Sequence, residues 1–313
     1  MLRALQTKIS SQRPFRLATI SLVPILASAL VLTALRPAMS EQDGPAIQTQ
    51  KVTDSIYMLI GAGGNLGVSV GEDGLLLIDD KFANLAPDIK EALAALAKER
   101  ELTRTTPRFL VNTHHHGDHT GGNAEFGKDA TIIAHTNVRK RLADPASDRP
   151  MPKSGLPIVT FDQGLSVHFN GEQVELLHLA AGHTDGDTVV MFKDSNVVHM
   201  GDLCFNGLFP YIDTASGGTV AGYIANLQQV LDSTNESTQY IPGHGDLATR
   251  ADIVALRDML TDVVVLVQAA MEEGQSAEDM KAAKLLAGYD EWNWSFITAE
   301  RLIDTVAGEL ASR

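Results

Sequence analysis

The sequence predicts an α/β fold in which sheets pack together and helices cover them on the outside. Short apolar runs bounded by glycines dominate two blocks of the chain, which is typical of buried strands. Segments with helical spacing lie between these runs and become concentrated towards the end of the chain. In addition, 313 residues, 44% of them hydrophobic, are sufficient for one large core. Because no internal repeat or interdomain linker interrupts residues 51–313, we expect a single domain there.

The first block of strands begins shortly after residue 50, and glycines between its apolar runs mark turns. The strands predicted in this block are residues 56–60, 66–70, 75–78, 109–111 and 131–133. A helix is predicted at residues 87–100, because Ile89, Leu93 and Leu96 follow helical spacing and Pro87 suits a first turn.

The second block of strands fills the middle of the chain and is followed by helices. Its predicted strands are residues 158–161, 165–169, 174–179, 188–192 and 197–200. The helices predicted after it are residues 220–231, 253–271, 277–286 and 298–310.

The N-terminus has the layout of an export signal. A basic stretch ends at Arg16, an uncharged stretch covers residues 17–35, and small residues near Ala38 suit a signal peptidase. We therefore expect residues 1–40 to be a signal peptide, residues 41–50 a polar linker, and the domain to be periplasmic. The uncharged run approaches the ~20 residues that span a bilayer, so an uncleaved anchor facing the periplasm is the alternative. Any membrane contact is expected only through this segment.

Charge and cysteine content narrow the classes of partner and site. The chain has 25 basic and 39 acidic residues, a net charge of -14, and five of the basic residues precede Glu41. Without them, 20 basic and 39 acidic residues leave a net charge of -19, which disfavours nucleic acid and anionic lipid surfaces. Cys204 is the only cysteine, so an internal disulfide and a multi-thiolate zinc site are excluded. We interpret Cys204 as a small buried apolar residue.

A dense cluster of histidines forms the central motif, Thr-His-His-His-Gly-Asp-His-Thr-Gly-Gly-Asn, at residues 113–123. In extended backbone alternate side chains point to the same side, so His114 and His116 can reach one metal while His115 points away. Imidazole and carboxylate groups are the ligands expected of zinc.

The remainder of the motif predicts a second metal position. Gly117 permits a sharp turn, after which Asp118 and His119 would point in a new direction. Three later features each combine a candidate ligand with glycine after a predicted strand: Gly182-His183, Gly201-Asp202 and Gly243-His244.

The order His-x-His-x-Asp-His, then a lone His, Gly-Asp and Gly-His resembles the metallo-β-lactamase superfamily. The resemblance covers most of the mature chain and implies a four-layer αββα sandwich with metals at one edge between two sheets. It implies first-site ligands His114, His116 and His183, and second-site ligands Asp118, His119 and His244. Asp202 matches the carboxylate that bridges both metals in the glyoxalase II-like and lactonase-like branches. Asp79, after strand 75–78, resembles an aspartate that supports the ligands from behind, and a simple turn residue is the alternative.

The chemistry that this resemblance implies is hydrolysis assisted by two metal ions, most simply zinc. A similar iron-binding branch has glutamate at the position of His116, which favours zinc, although iron and manganese also suit such ligands. Zinc lowers the pKa of a bound water to about 7, giving a hydroxide that attacks an amide, ester or thioester carbonyl. Asp118 would orient the water or accept its proton.

We expect an exported hydrolase with β-lactamase-like chemistry that acts on a small-molecule substrate. Export favours this chemistry, but Asp202 departs from the ligand pattern of the established β-lactamases. A glyoxalase II-like thioesterase or a lactonase is therefore the alternative. The non-enzymatic alternative is a metal-binding protein that has lost turnover. The sequence does not indicate an oligomeric state.

Substrate contacts are predicted around the residues that follow Asp202. Phe205, Phe209 and Tyr211 would wall an apolar pocket, or else pack the loop onto the core. Asn123 and Tyr211 are the polar groups expected to reach a substrate oxygen. The remaining histidines are interpreted as structural or surface residues: His115, His135, His168, His178 and His199.

Overall fold

The computed structural model of the protein describes residues 47–147 and 150–312, all of which belong to one compact unit, Asp43–Arg313. The predicted signal peptide or anchor, residues 1–40, lies outside the described residues. Within the described part of the chain, no helix is long and apolar enough to cross a membrane.

The first sheet contains seven strands in chain order. They are β1 Gln48–Lys51, β2 Ile56–Ile60, β3 Leu66–Gly71, β4 Gly74–Ile78, β5 Phe109–Asn112, β6 Thr131–His135 and β7 Val159–Phe161. Pairing is antiparallel from β1 to β4 and parallel from β4 to β7. Strands β2, β3 and β4 are apolar and buried on both faces, as expected of strands that lie between two other layers.

The second sheet contains six strands in the order β13-β12-β11-β10-β9-β8. They are β8 Gly164–Phe169, β9 Glu172–His178, β10 Thr188–Phe192, β11 Val197–Phe205, β12 Gln239–His244 and β13 Ala248–Thr249. Only β11 and β12 pair in parallel, so the carboxyl ends of both strands reach the same edge of the sheet.

Eight α-helices connect or cover the sheets in the described residues. They are α1 Ala86–Glu99, α2 Gly117–Thr120, α3 Asn123–Phe126, α4 Thr136–Leu142, α5 Val220–Asp232, α6 Arg250–Glu272, α7 Ala277–Ala282 and α8 Ala299–Ala311. Short 3-10 helices occur at Ala83–Leu85, Lys153–Gly155, Thr214–Ser216 and Ala287–Trp292. The predicted spacing of α1 is confirmed, since Ile89, Leu93 and Leu96 are all buried.

Three apolar clusters define four layers. Leu93 of α1 packs with Leu75 of the first sheet. Leu76 of the first sheet packs with Leu176 of the second sheet. The second sheet also packs against α5, α6 and α8, for example through Leu260. The αββα sandwich and the α/β class predicted from the sequence are therefore confirmed.

Several predicted boundaries differ from the structure; for example, the strand predicted at residues 197–200 extends to Phe205, and the helix predicted at residues 253–271 begins at Arg250. Two further differences have a clear physical reason. The linker predicted at residues 41–50 overlaps β1, because Gln48–Lys51 is an edge strand whose four residues are all exposed and whose polar sequence gives no buried pattern. The helix predicted to reach residue 286 ends at Ala282, because Lys284 takes a left-handed backbone conformation with φ of 52°.

Candidate metal centre and its cavity

The candidate metal ligands gather where strands of both sheets end. His114 follows β5, and the short helix α2 then carries Asp118 and His119. From the second sheet, Asp202 lies within β11 and His244 ends β12. His183 lies in the connection from β9 to β10, where Asp187 accepts hydrogen bonds from the amides of His183 (2.6 Å) and Thr184. The fold thus brings together side chains that are up to 130 residues apart in the sequence.

The first group consists of three imidazoles and one carboxylate oxygen. The Nδ1 atom of His116 lies 3.1 Å from Nε2 of His114 and 2.9 Å from Nε2 of His183. Oδ2 of Asp202 lies 3.7 Å from Nε2 of His114 and 3.5 Å from Nε2 of His183. These four atoms surround one point and could hold one cation.

The second group adjoins the first through Asp202. Oδ2 of Asp118 lies 3.7 Å from Nε2 of His119 and 3.4 Å from Nε2 of His244. Asp202 presents Oδ1 at 3.0 Å from Nε2 of His119 and Oδ2 at 3.5 Å from Nε2 of His244. Its carboxylate therefore lies between the two groups, where one side chain can contact a cation in each.

Two buried atoms at this junction lack a hydrogen-bond partner: Nε2 of His119 and Oδ1 of Asp202. They are only 3.0 Å apart, but their geometry is not that of a hydrogen bond. Buried polar atoms of a folded protein are nearly always paired, so two unpaired atoms at one place are unfavourable unless a cation binds between them. The donor set and these two atoms together fit a pair of metal ions.

Asp79 fixes the orientation of His119 from behind. Its fully buried carboxylate accepts hydrogen bonds from Nδ1 of His119 (2.7 Å), the amide of Thr113 (2.8 Å) and the hydroxyl of Thr113 (2.7 Å). Because Nδ1 of His119 donates to Asp79, Nε2 is the nitrogen that faces Asp118 and Asp202 and that would present a lone pair to a bound cation.

The rings of His183 and His116 are oriented in the same way by other partners. Nδ1 of His183 lies 2.7 Å from the carbonyl oxygen of Tyr211, and Nε2 of His116 lies 3.0 Å from Oδ2 of Asp213. In each ring the proton faces this partner, and the opposite nitrogen faces the first group. Asp213 was not identified from the sequence, because it lies in a loop 97 residues from His116 and shares no motif with it.

The candidate ligands around Asp202 change one another's pKa values. Burial lowers the pKa of His183 to about 4, so that ring is neutral. Burial raises the pKa of Asp202 and Asp118, but the nearby histidines lower both by more. As a result the pKa of Asp202 is held well below its usual range, and that of Asp118 falls to about 2. Burial lowers the pKa of His119 and His244, but the carboxylates of Asp202 and Asp118 raise both by more. The pKa of His119 is therefore well above its usual value, and that of His244 is about 9. Cation binding would therefore displace protons from His119 and His244.

A close-packed loop, residues 61–64, covers the second group. A Cβ atom at Gly64 would lie within 2.8 Å of three atoms of the His119 ring, so only glycine fits there. The fully buried Lys81 holds the loop by donating from Nζ to the carbonyl oxygens of Gly61 (3.4 Å) and Gly64. Burial lowers the pKa of Lys81 to about 8. Lys81 was not identified from the sequence, where a lone lysine after a strand gives no sign of burial.

Gly117 does not serve as the sharp turn predicted for it. It is the first residue of α2, and a Cβ atom added there would meet nothing within 4 Å. The helical turn itself carries Asp118 and His119 towards the second group, so the geometry does not require glycine at this position.

A cavity of about 500 Å³ opens onto the two groups. Its polar wall contains His116, Asp118, Asp202 and His244. Its other lining residues are mostly aromatic: Gly63, Phe82, Phe205, Tyr211, Trp294 and Phe296. The structure thus places Phe205 and Tyr211 in the cavity wall, where the sequence predicted them. Phe82, Trp294 and Phe296 were not predicted there, because nothing in the sequence links their segments to the ligand motifs.

Two predicted substrate contacts are wrong. Asn123 is fully buried, and its amide is used by Asn112 (2.9 Å in both directions) and the carbonyl oxygen of Gly155 (2.9 Å). It begins α3, which turns its side chain into the core, although it is close to the ligands in sequence. Phe209 is also fully buried and packs in the core between the second sheet and the helices, which is the alternative that the sequence left open.

The other histidines lie outside the two groups. His115 points away from them, and its Nε2 lies 3.4 Å from the hydroxyl of Ser216. His135 and His178 stack with ring centroids 3.7 Å apart, and His168 is exposed on β8. His199 is buried, with Nε2 3.2 Å from the carbonyl oxygen of Asn65.

Cys204 is a buried core residue, as interpreted from the sequence. Its side chain packs in the cluster beneath α5 and α6, and burial raises the pKa of its thiol.

Comparisons with known proteins identify the family of the chain. The family model of the metallo-β-lactamase superfamily matches residues 62–288. The chain is 25% identical over 203 residues to the 2,4-dinitroanisole O-demethylase subunit alpha of a Nocardioides species, covering 64% of this chain and 58% of that protein. It is 32% identical over 127 residues to a hydroxyacylglutathione hydrolase of Rhodospirillum rubrum, covering 40% of this chain and 43% of that protein. These matches span only about half the length of either relative.

Solved structures share the fold at low identity. A metallo-β-lactamase from Pontibacter korlensis superposes with a TM-score of 0.56 and 16% identity, covering 69% of this chain and 99% of that one. A stereoselective inverting sec-alkylsulfatase from a Pseudomonas species gives a TM-score of 0.64 and 18% identity, covering 83% of this chain and 50% of that one.

One explanation accounts for the four layers, for the candidate ligands at one edge of the sheets and for the family match over most of the chain. This protein belongs to the metallo-β-lactamase superfamily, whose members are metal-dependent hydrolases.

Proposed function

We propose that this protein is a hydrolase that binds two zinc ions and cleaves an ester, amide or thioester carbonyl. The observation that carries the proposal is the position of Asp202 between two groups of ligands that open into one cavity. One group would use His114, His116 and His183, and the other Asp118, His119 and His244, with Asp202 shared. Zinc suits this nitrogen and oxygen set, and iron or manganese remains compatible with it.

A pair of zinc ions would supply Lewis acidity and an activated water as the nucleophile. The protein's part is to hold the ligands in one orientation, through Asp79 behind His119 and Asp213 behind His116. No serine or cysteine nucleophile is required, and the buried thiol of Cys204 is unsuited to that role.

Asp118 is the residue that we propose as the proton acceptor. Its side chain is 23% exposed and lines the cavity, whereas Asp202 is almost fully buried. Its low pKa keeps it ionised at neutral pH, so an oxygen atom can accept a hydrogen bond from a water molecule and orient it; a water acidified by bound metal ions would give up its proton to this oxygen. Tyr211 lines the same cavity and is proposed to contact a substrate oxygen.

Asp79 is proposed as a supporting residue that acts through His119. Its three hydrogen bonds are directed inward to Thr113 and His119, and it is fully buried. It therefore sets which ring nitrogen of His119 is available and does not reach a substrate.

Thioester hydrolysis is the second candidate, because a relative that is 32% identical over its matched region is a hydroxyacylglutathione hydrolase. Among the described residues that line the cavity there is no lysine or arginine to pair with the carboxylates of glutathione. This favours an ester or lactone over a glutathione thioester. β-Lactamase-like amide hydrolysis remains part of the proposal, since an apolar cavity beside the ligands also suits a bicyclic amide.

The test combines metal content with a substrate panel. We expect two zinc ions per chain by mass spectrometry and turnover of at least one of a chromogenic cephalosporin, an aryl ester, a lactone and a glutathione thioester. Asp202→Ala should lower both zinc occupancy and turnover. Two tightly bound ions with no turnover on the whole panel would instead support the non-enzymatic alternative, a metal-binding protein. Unchanged zinc occupancy in Asp202→Ala would show that Asp202 does not bridge.

We also propose that the domain is exported to the periplasm, either after cleavage near residue 40 or on an anchor formed by residues 17–35. The support is the basic, apolar and small-residue order of the N-terminus. Cell fractionation with mass measurement of the purified chain tests this. A full-length chain found only in the cytoplasm would contradict export, and a full-length chain in the membrane would identify the anchor.

A further inference from the structure

One side of the cavity is a continuous surface of three aromatic rings, Tyr211, Phe296 and Trp294, which we term the aromatic wall. The ring of Tyr211 lies 5.8 Å from that of His116 and 5.2 Å from that of Phe296. The ring of Phe296 lies 5.6 Å from that of Trp294, which lies 5.8 Å from that of His244. The wall therefore extends from a ligand of the first group to a ligand of the second.

The segment that carries this wall is held by hydrogen bonds at several points. The amide of Phe209 donates to the carbonyl oxygen of Trp292 (2.8 Å), and Nε1 of Trp294 donates to the carbonyl oxygen of Phe209 (2.9 Å). The amide of Trp294 donates to the carbonyl oxygen of Ile297 (3.1 Å). Rings that are fixed before a ligand arrives lose little entropy on binding it, so the wall is suited to recognition.

Arg301 supports the wall from its outer side. Its guanidinium lies 4.4 Å from the ring centroid of Phe296 and 5.5 Å from that of Tyr211, and it donates to the carbonyl oxygen of Phe296 (2.9 Å). Its hydrogen bond and stacking are therefore directed to the wall itself. Among the described residues that line the cavity, the charged groups are carboxylates and histidines of the two ligand groups.

Two aromatic side chains that line the cavity are exposed to solvent. Phe296 is 46% exposed and Phe82 is 39% exposed, and both line the same cavity. Phe205 lies deeper, with its ring stacked 4.9 Å from that of His244. Large exposed aromatic side chains beside a polar catalytic group are typical of a site whose ligand covers them.

We propose that the substrate of this site carries a flat aromatic group, which stacks on the aromatic wall while its ester or lactone carbonyl faces the ligand groups. This inference rests on the proposed function. In the reaction, water adds its oxygen to the carbonyl carbon and the carbon–oxygen bond to the alcohol breaks. The alcohol leaves with one proton of the water, and the acid forms. Aromatic rings prefer offset or edge-to-face contact with other rings, and three such surfaces are available here.

The first experiment measures binding without turnover. Calorimetry compares 2-naphthol, the alcohol product of a naphthyl ester, with cyclohexanol on the zinc-supplied full chain. We expect 2-naphthol to bind at least about tenfold more tightly, and Trp294→Ala and Phe296→Ala each to remove that preference. Tyr289→Ala is the matched control, since Tyr289 is an aromatic residue of the 3-10 helix just before Trp294 and does not line the cavity. Equal binding of the two alcohols by the unaltered protein would overturn the proposal.

The second experiment measures kcat/KM for 2-naphthyl acetate and ethyl acetate. We expect Trp294→Ala and Phe296→Ala to lower the value for the naphthyl ester by about 10- to 100-fold and that for ethyl acetate by less than about threefold, with zinc content unchanged. Equal losses on both esters would refute a role in specificity. If 2-naphthol binds as expected but none of the cephalosporin, esters, lactone and thioester is hydrolysed, the proposed function fails while recognition of the aromatic group stands.

Discussion

Asp79→Asn should weaken the binding of one metal ion and leave the other almost unaffected. Oδ2 of Asp79 accepts hydrogen bonds from the hydroxyl of Thr113 and from Nδ1 of His119, both at 2.7 Å, while Oδ1 accepts from the amide of Thr113. The side-chain amide introduced at position 79 has only one acceptor oxygen. If that oxygen keeps the hydrogen bond from the backbone amide of Thr113, the new side-chain nitrogen must take the place of Oδ2. The hydroxyl of Thr113 also lies 3.1 Å from Nδ1 of His114, and its two lone pairs allow it to accept from the new side-chain nitrogen and from His114 at once. In contrast, Nδ1 of His119 can accept only if its proton moves to Nε2. That change removes the lone pair which faces Asp118 and Asp202.

The size of this effect follows from the number of ligands involved. Of the seven candidate ligands, Asp79 contacts only His119, which belongs to the group with Asp118 and His244. Loss of a carboxylate that orients a metal-binding histidine typically lowers metal affinity 10- to 100-fold, which corresponds to about 1.4–2.7 kcal/mol. Loss of a buried hydrogen bond to a charged group adds about 1–3 kcal/mol of destabilisation, or a fall of several degrees in Tm.

Zinc titration against a chromophoric chelator separates the two ions by affinity, and thermal unfolding reports the stability. Asp80→Asn is the matched control: Asp80 is the adjacent buried carboxylate, but its Oδ1 accepts from the amide of Gly122 and from no candidate ligand. We expect wild-type zinc affinities in that control. Two unchanged affinities in Asp79→Asn would refute the argument about the His119 ring, and so would equal weakening of both ions in a protein that remains folded.

Three further predictions follow from single contacts. Asp213→Asn should weaken binding of the ion at the first group by about tenfold or more, because Asp213 orients His116. An unchanged affinity for that ion in the same zinc titration would contradict this. Gly64→Ala should lower zinc occupancy at the second group and reduce turnover by at least about 100-fold, because the added methyl group overlaps the ring of His119; full occupancy by mass spectrometry would show that the loop can move aside. Cys204 should resist alkylation by iodoacetamide at pH 8 in the folded protein and react after denaturation, because burial raises the pKa of its thiol and excludes the reagent; rapid labelling without denaturant would contradict its burial.

The parts of the fold that could be predicted are those with a local apolar pattern. Strand β3 and helix α1 were recognisable because burial on defined faces leaves a period of apolar residues in the sequence. Strand β1 left no such pattern, since all four of its residues are exposed and its pairing with β2 is made by backbone groups. The end of α7 depended on the backbone conformation of Lys284, which composition does not indicate.

The same distinction applies to the candidate site. The motif from His114 to His119 was recognisable because its residues are adjacent. His183, Asp202 and His244 were recognisable as candidate ligands beside glycines after predicted strands, and the resemblance gave them their roles. Asp213 and Lys81 could not be predicted as part of the site, because each contacts it from a segment that is distant in the sequence. Asn123 shows the opposite error: nearness in sequence suggested nearness in space, but α3 turns its amide into the core.

The metal centre and the substrate cavity have different origins in the chain. The match to the superfamily ends at residue 288, after His244 has completed the second ligand group. Trp294 and Phe296 lie beyond that match, yet they line the cavity onto which the candidate ligands open. Candidate ligands that lie on or just beyond the ends of paired strands tolerate little variation, whereas a segment outside the sheets can change its side chains without disturbing those ligands. Membership of the superfamily therefore informs the bond-breaking chemistry, and the choice of substrate has to be inferred from residues 292–297 and the loop that holds them.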